Sequence, residues 1–188
     1  MSDMTIEQFL QKGKQSMEDS IEHLRKELAK IRAGKASPSM VNGLMVEHYG
    51  TQMPINQVAN VNAVDSKTLA IQPWDKTALE AIERAIFEAN LGVTPQNDGE
   101  FVRITMPALT EERRKELVKY AKGHAEESRV SIRNIRHKLM DFIKKEVKEG
   151  YPEDAGKRKE KQVQDMVEKY SKEIENLLES KEQDIMTV

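Results

Sequence analysis

Cysteine is absent from all 188 residues. Neither a disulfide framework nor thiolate chemistry is therefore available. Long apolar runs are missing as well. No stretch approaches the roughly 20 apolar residues that a helical membrane span needs, and the N-terminal MSDMTIEQFLQKGK has no apolar signal core or cleavage site. A soluble protein of a reducing compartment is expected, most simply the cytoplasm, with no membrane partner. The histidines are few, and His23, His48, His124 and His137 are scattered without ligand spacing. His124 falls in an apolar stripe and is read as a satisfied core histidine, or one packed beside Gly123, ahead of a metal ligand. The GKAS at 34–37 lacks the upstream glycine of a phosphate loop. The NDG at 97–99 lacks the downstream glutamate and alternating acids of a calcium loop. Pairs such as Glu111/Glu112 and Glu126/Glu127 read as ordinary helix surface. No catalytic residue, no metal site and no cofactor is expected, so the chain does not read as an enzyme.

What is present is charge. Charged residues make up 33% of the chain, yet the formal net charge is only -2. From Ser37 to Met106 eight acids face four bases, a balance of -4. From Arg113 to Lys138 nine Lys/Arg face three Glu, a balance of +6. A basic segment on a near-neutral chain implies an anionic partner held at one surface.

The periodicity divides the chain in the same way. Thr5 and Gln8 stand in capping-box spacing. Met17, Ile21, Leu24, Leu28 and Ile31 follow at steps of four and three, which predicts one long helix stopped near Gly34. A second long helix is predicted after Thr110, with Leu117, Ala121, His124, Ser128, Ile132, Ile135, Leu139 and Phe142 on its inner face. Gly150 and Pro152 end it. A third carries Val163, Met166, Tyr170, Ile174 and Leu177. Three helices, each apolar on one narrow face, bury that face by packing together. Between the first two the period shortens. LMVEHY, NVNAV, TLAIQPW and EFVRITM read as strands, VDSKT and QNDGE as turns, and DKTALEAIERAIFEANLG as one amphipathic helix. The expected fold is α+β: a three-helix bundle of residues 1–33 and 107–188, interrupted by a small α+β domain at 34–106. Gly34, Ser37, Pro38, Met106 and Pro107 mark the two crossings, which read as a hinge or as rigid turns.

Within ESRVSIRNIRHK (127–138), Arg129, Arg133 and Arg136 share one helix face, beside the stripe of Ile132, Ile135 and Leu139. Extended backwards, the row is Lys115, Lys119, Lys122, Glu126, Arg129, Arg133, Arg136, about 30 Å of helix. It is either a solvated edge paired with glutamates of a neighbouring helix or a surface for RNA or another polyanion. Arginine forks match phosphate oxygens bidentately. Aromatics are scarce nearby, which points away from base stacking and towards folded RNA read by backbone and shape.

Two long motifs, KIRAGKASPSMVNGLMVEHYGTQMPINQVANV and LTEERRKELVKYAKGHAEESRVSIRNIRH, resemble the bacterial ribosome recycling factor family, and the likeness spans essentially the whole chain. The resemblance implies an L-shaped, near-tRNA-sized molecule: a three-helix bundle and a β/α/β sandwich joined by a two-strand hinge. It implies a monomeric, non-enzymatic factor acting on the post-termination 70S ribosome. With elongation factor G and GTP, such a factor separates the subunits for new rounds of translation. The bundle would lie on large-subunit ribosomal RNA, with the family's arginines matched here by Arg32, Arg133 and Arg136. Lys35 stands where the family often has arginine, and His137 where a further arginine is common. A helical-bundle co-chaperone and an RNA-binding translation inhibitor are the alternatives.

Overall fold

The computed structural model describes residues 4–187. The chain divides into two compact units, a helical one up to Arg32 and from Glu111 on, and an inserted one from Ala33 to Thr110.

The helical unit holds α1 (Ile6–Ala29), α4 (Glu111–Lys148) and α5 (Glu153–Met186). The start of α1 is set by its capping box. Thr5 Oγ1 accepts from the Gln8 amide at 3.2 Å, and Gln8 Oε1 accepts from the Thr5 amide at 3.0 Å. The stripe Met17, Ile21, Leu24, Leu28 and Ile31 is buried throughout. Gly150, at φ +113, breaks the chain between α4 and α5. Two close approaches lock the bundle's register. Gly13 of α1 lies against Leu139 of α4, so that a Cβ built there would stand 2.6 Å from a leucine methyl carbon, and a Cβ at Gly156 of α5 would stand 2.5 Å from Val147 Cγ2. Phe9 and Phe142 stack at 4.1 Å between ring centroids.

The inner face of α4 differs in phase from the periodic reading. Ala125 and Ile143 are buried, while His124 and Phe142 flank the seam. An alanine methyl enters a helix interface without desolvating a polar ring, whereas an imidazole in its place would. His124 accordingly sits at the edge and is not a satisfied core histidine. Its Nε2 is buried with no hydrogen-bond partner. That atom lies 3.9 Å from a Glu27 carboxylate oxygen, and Nδ1 lies 3.6 Å from one of Glu127.

The inserted unit has a two-stranded sheet, β1 (Met45–His48) with β2 (Thr51–Pro54), and a four-stranded antiparallel sheet ordered β3-β4-β6-β5. Its members are β3 (Ala59–Ala63), β4 (Thr68–Pro73), β5 (Pro95–Asn97) and β6 (Val102–Thr105), with the one-turn helix α2 (Ile55–Val58) and α3 (Leu79–Glu88). Val46, Ile55, Leu69, Ile71, Ile82, Ile86, Val102 and Ile104 build its core. Two strands escaped the periodicity. β2 (TQMP) has no β-branched run, and β5 is three residues beginning with proline, which a sheet tolerates at an edge. VDSKT is a turn held by Asp65, whose Oδ1 accepts from the amides of Lys67 and Thr68 at 2.8 and 2.7 Å.

Ser37, Pro38 and Met106 belong to the inserted unit's own packing. Ser37 caps a 3-10 turn at Pro38–Val41. The Ala36 amide donates to Ser66 O at 2.8 Å, and the buried Met106 donates to Lys67 O at 2.7 Å. Both ends of the insert are thus fastened to one turn. Gly34 lies outside these bonds at φ +73, against the Leu109 side chain.

Candidate nucleic-acid interface

The basic row lies on α4, a helix of 38 residues, and α5 divides it into two files. Lys122, Arg129 and Arg136, spaced by seven, reach α5. Lys122 Nζ lies 4.0 Å from Glu182, Arg129 Nη2 lies 2.6 Å from Glu175, and Arg136 Nε donates to Gln164 Oε1 at 3.2 Å. Lys119, Glu126 and Arg133, also spaced by seven, form the outer file, and all are exposed. The Arg133 side chain is 61% exposed, against 31% for Arg129. Lys115, also exposed, lies 3.6 Å from Glu111 of its own first turn. Arg32 is exposed just beyond the end of α1.

Glu126 stands between the files. Its carboxylate accepts from Arg129 Nη1 at 3.0 Å and from Arg133 Nη2 at 2.8 Å. The Arg129 hydrogen bond and the Arg133 charge hold its carboxyl below the usual range. Arg129 is raised further still, chiefly by its hydrogen bond to Glu175. In this free protein Arg129 is thus an inter-helix tie, the edge-pairing arrangement. Arg133 and Lys119 are the cations aimed outward. The α5 acceptors that draw Lys122, Arg129 and Arg136 inward were invisible to a reading confined to α4. The heptad spacing of those three residues was the signal that could have exposed the seam.

Among the described residues, no group of three or more His, Cys, Asp or Glu is placed to hold a metal ion. No described helix is long and apolar enough to cross a membrane.

The model of the ribosome recycling factor family matches residues 24–186. The chain belongs to the ribosome recycling factor family. It is 45% identical to the ribosome-recycling factor of Porphyromonas gingivalis, over 98% of this chain and 100% of that protein. With the ribosome-recycling factor of Christiangramia forsetii it shares 49% identity over 97% of this chain and 98% of the other. Among solved structures, the solution structure of a ribosome recycling factor superposes with a TM-score of 0.73 at 38% identity, covering 97% of this chain and 98% of that one. A second match has a TM-score of 0.61 at 43% identity, covering 97% and 100% of the two chains. It comes from models of the T. thermophilus ribosome recycling factor and the E. coli elongation factor G bound to the E. coli post-termination complex. The family's fold, helical bundle plus inserted α+β domain, is the one described above.

Proposed function

We propose that this chain recycles ribosomes: it binds the post-termination 70S particle and, with elongation factor G and GTP, promotes its separation into subunits. It acts as a factor and not as an enzyme, in the cytoplasm and as a monomer. The observation that carries the reading, beside family membership, is the outer file of α4. Arg133 and Lys119 stand exposed on a helix whose inner face is locked by packing. A rigid element presents cations to an RNA backbone without first having to be ordered.

Within this proposal Arg133 is the central RNA contact, supported by Lys119, Lys115 and Arg32. Lys122, Arg129 and Arg136 first hold α5 and would reach RNA only by exchanging partners. Residues 32–35 and 107–110 serve as the hinge, because Ser37, Pro38 and Met106 are tied into the insert. Sedimentation of post-termination 70S particles tests the function. Subunits should appear only when this protein, elongation factor G and GTP are all present. Binding without splitting would make it an inhibitor, and salt-insensitive binding to unfolded proteins would make it a co-chaperone.

A further inference from the structure

Of the chain's nine glycines, eight have a reason within the fold. Six stand at positive φ in turns or bends, and Gly13 and Gly156 are pressed against side chains of a neighbouring helix. The ninth is Gly123. It lies well inside α4, is exposed, and an added Cβ would meet nothing within 4 Å. Neither backbone nor packing asks for glycine there, yet after proline it is the least favourable residue in a helix. It is also the only glycine in the 38 residues of α4. The chain thus forgoes helix stability at a place where alanine would fit. A bare patch of backbone is useful when another molecule has to come close to it.

The surroundings of Gly123 describe that molecule. Tyr120 and Val130, three residues before and seven after, share its face. At 57% and 43% exposure they are the large apolar side chains that α4 leaves open. The Tyr120 ring is held edge-on against His124, with centroids 4.5 Å apart. Lys119, one turn before Gly123, is exposed and makes no ion pair among the described residues. The carboxylates nearby are already engaged. Glu116 accepts from Arg113 Nη1 at 2.9 Å, Glu126 is bound by Arg129 and Arg133, and Glu127 lies 3.6 Å from His124 Nδ1. A floor without a side chain, walls of C–H surface and a cation at the rim suit a ribose–phosphate strand. The sugar would lie against Tyr120 and Val130, and the phosphate beside Lys119. Folded RNA offers such riboses along its shallow minor groove. A partner helix could also exploit the glycine, but Lys119 makes this patch continuous with the cationic outer file, which favours RNA.

We propose that Gly123 marks a point of close approach, where the ribose–phosphate backbone of large-subunit RNA crosses α4 between Tyr120 and Val130. The inference rests on the RNA reading of the bundle and adds to it a contact made by shape where Arg133 makes one by charge.

Gly123→Ala, Gly123→Lys and Arg133→Ala are compared with wild type by melting temperature and by Kd for isolated large subunits, without elongation factor G. The alanine should raise the melting temperature by about 2–4 °C, since the helix gains propensity and nothing is displaced. It should nonetheless weaken Kd about tenfold. The lysine should weaken binding as well, although it brings a further cation, whereas a face read by charge alone would bind more tightly. Wild-type Kd in Gly123→Ala beside a loss in Arg133→Ala, or tighter binding by Gly123→Lys, would overturn the close approach and leave the RNA reading standing. Full binding by Gly123→Ala with a loss confined to splitting by elongation factor G would give the face to a protein and overturn it too. Wild-type binding by Arg133→Ala would instead strike the RNA reading, and this contact with it.

Discussion

Glu126 occupies two arginines that the proposed RNA contact has to use or bypass. Any phosphate approaching Arg133 competes with that carboxylate and is repelled by it. Glu126→Gln should therefore tighten binding to large subunits several-fold, by filter binding at fixed salt. Weaker binding would mean that Glu126 orients Arg133 for RNA. Arg133→Ala removes the outward cation itself. A lost charge-assisted contact is worth about 1.5–3 kcal/mol, roughly ten- to hundredfold in Kd. Its melting temperature should not move, because its fork bonds only an exposed residue. Arg129→Ala should show the opposite balance, losing some thermal stability and less affinity, because its fork also bonds α5. If the two variants behaved alike in both assays, the division into files would be wrong. These residues mark the limit of what one helix's sequence discloses. Spacing put seven side chains on one face, but which of them a neighbour claims depends on Gln164, Glu175 and Glu182, at least 28 residues away along the chain.

At the scale of elements, the long helices and four of the six strands were legible, whereas β2, β5 and the one-turn α2 were not. α1 announced itself through Thr5, Gln8 and an unbroken stripe, and the break before α5 through Gly150 and Pro152. β5 had three residues and no alternation to display, and α2 a single turn, so their existence follows from pairing with the rest of the insert. The phase of α4 was displaced at His124 because a small neighbour, Ala125, could enter the seam in its place. Contacts through glycine are equally silent in a sequence, and Gly13 provides a test. Replacing a mid-helix glycine by alanine ordinarily gains about 1 kcal/mol. Here the new methyl would overlap Leu139, and overpacking costs about 1–3 kcal/mol. Gly13→Ala should thus lower the melting temperature despite its better propensity. In a Leu139→Ala background, itself costly, the same change should be stabilising. A gain in the wild-type background would show that α1 and α4 separate readily.

The whole molecule works, on the proposed reading, only if the insert moves while the bundle stays docked. The chain has no cysteine of its own, so an introduced pair is unambiguous. Gly34→Cys with Leu109→Cys ties the two hinge strands to each other where they already touch, so that neither can part from or slide along the other. A side chain in the left-handed region costs about 1–2 kcal/mol, and the reduced protein controls for it. The oxidised form should bind 70S particles yet split few of them, with splitting restored by reductant. Undiminished splitting would remove the hinge from the mechanism. The fastening of Ala36 and Met106 to neighbouring residues of one turn also bears on how the chain reaches this state. α1 has to find α4 across an interruption of ~80 residues, a costly loop to close. Once folded, the insert brings its own two ends together, and the effective loop shrinks to about ten residues, lowering the closure cost by about 2 kcal/mol. The insert then behaves as a clasp during folding. Synthesis delivers α1 first and α4 later, and the interval is filled by a domain whose completion brings the chain leaving α1 and the chain entering α4 together.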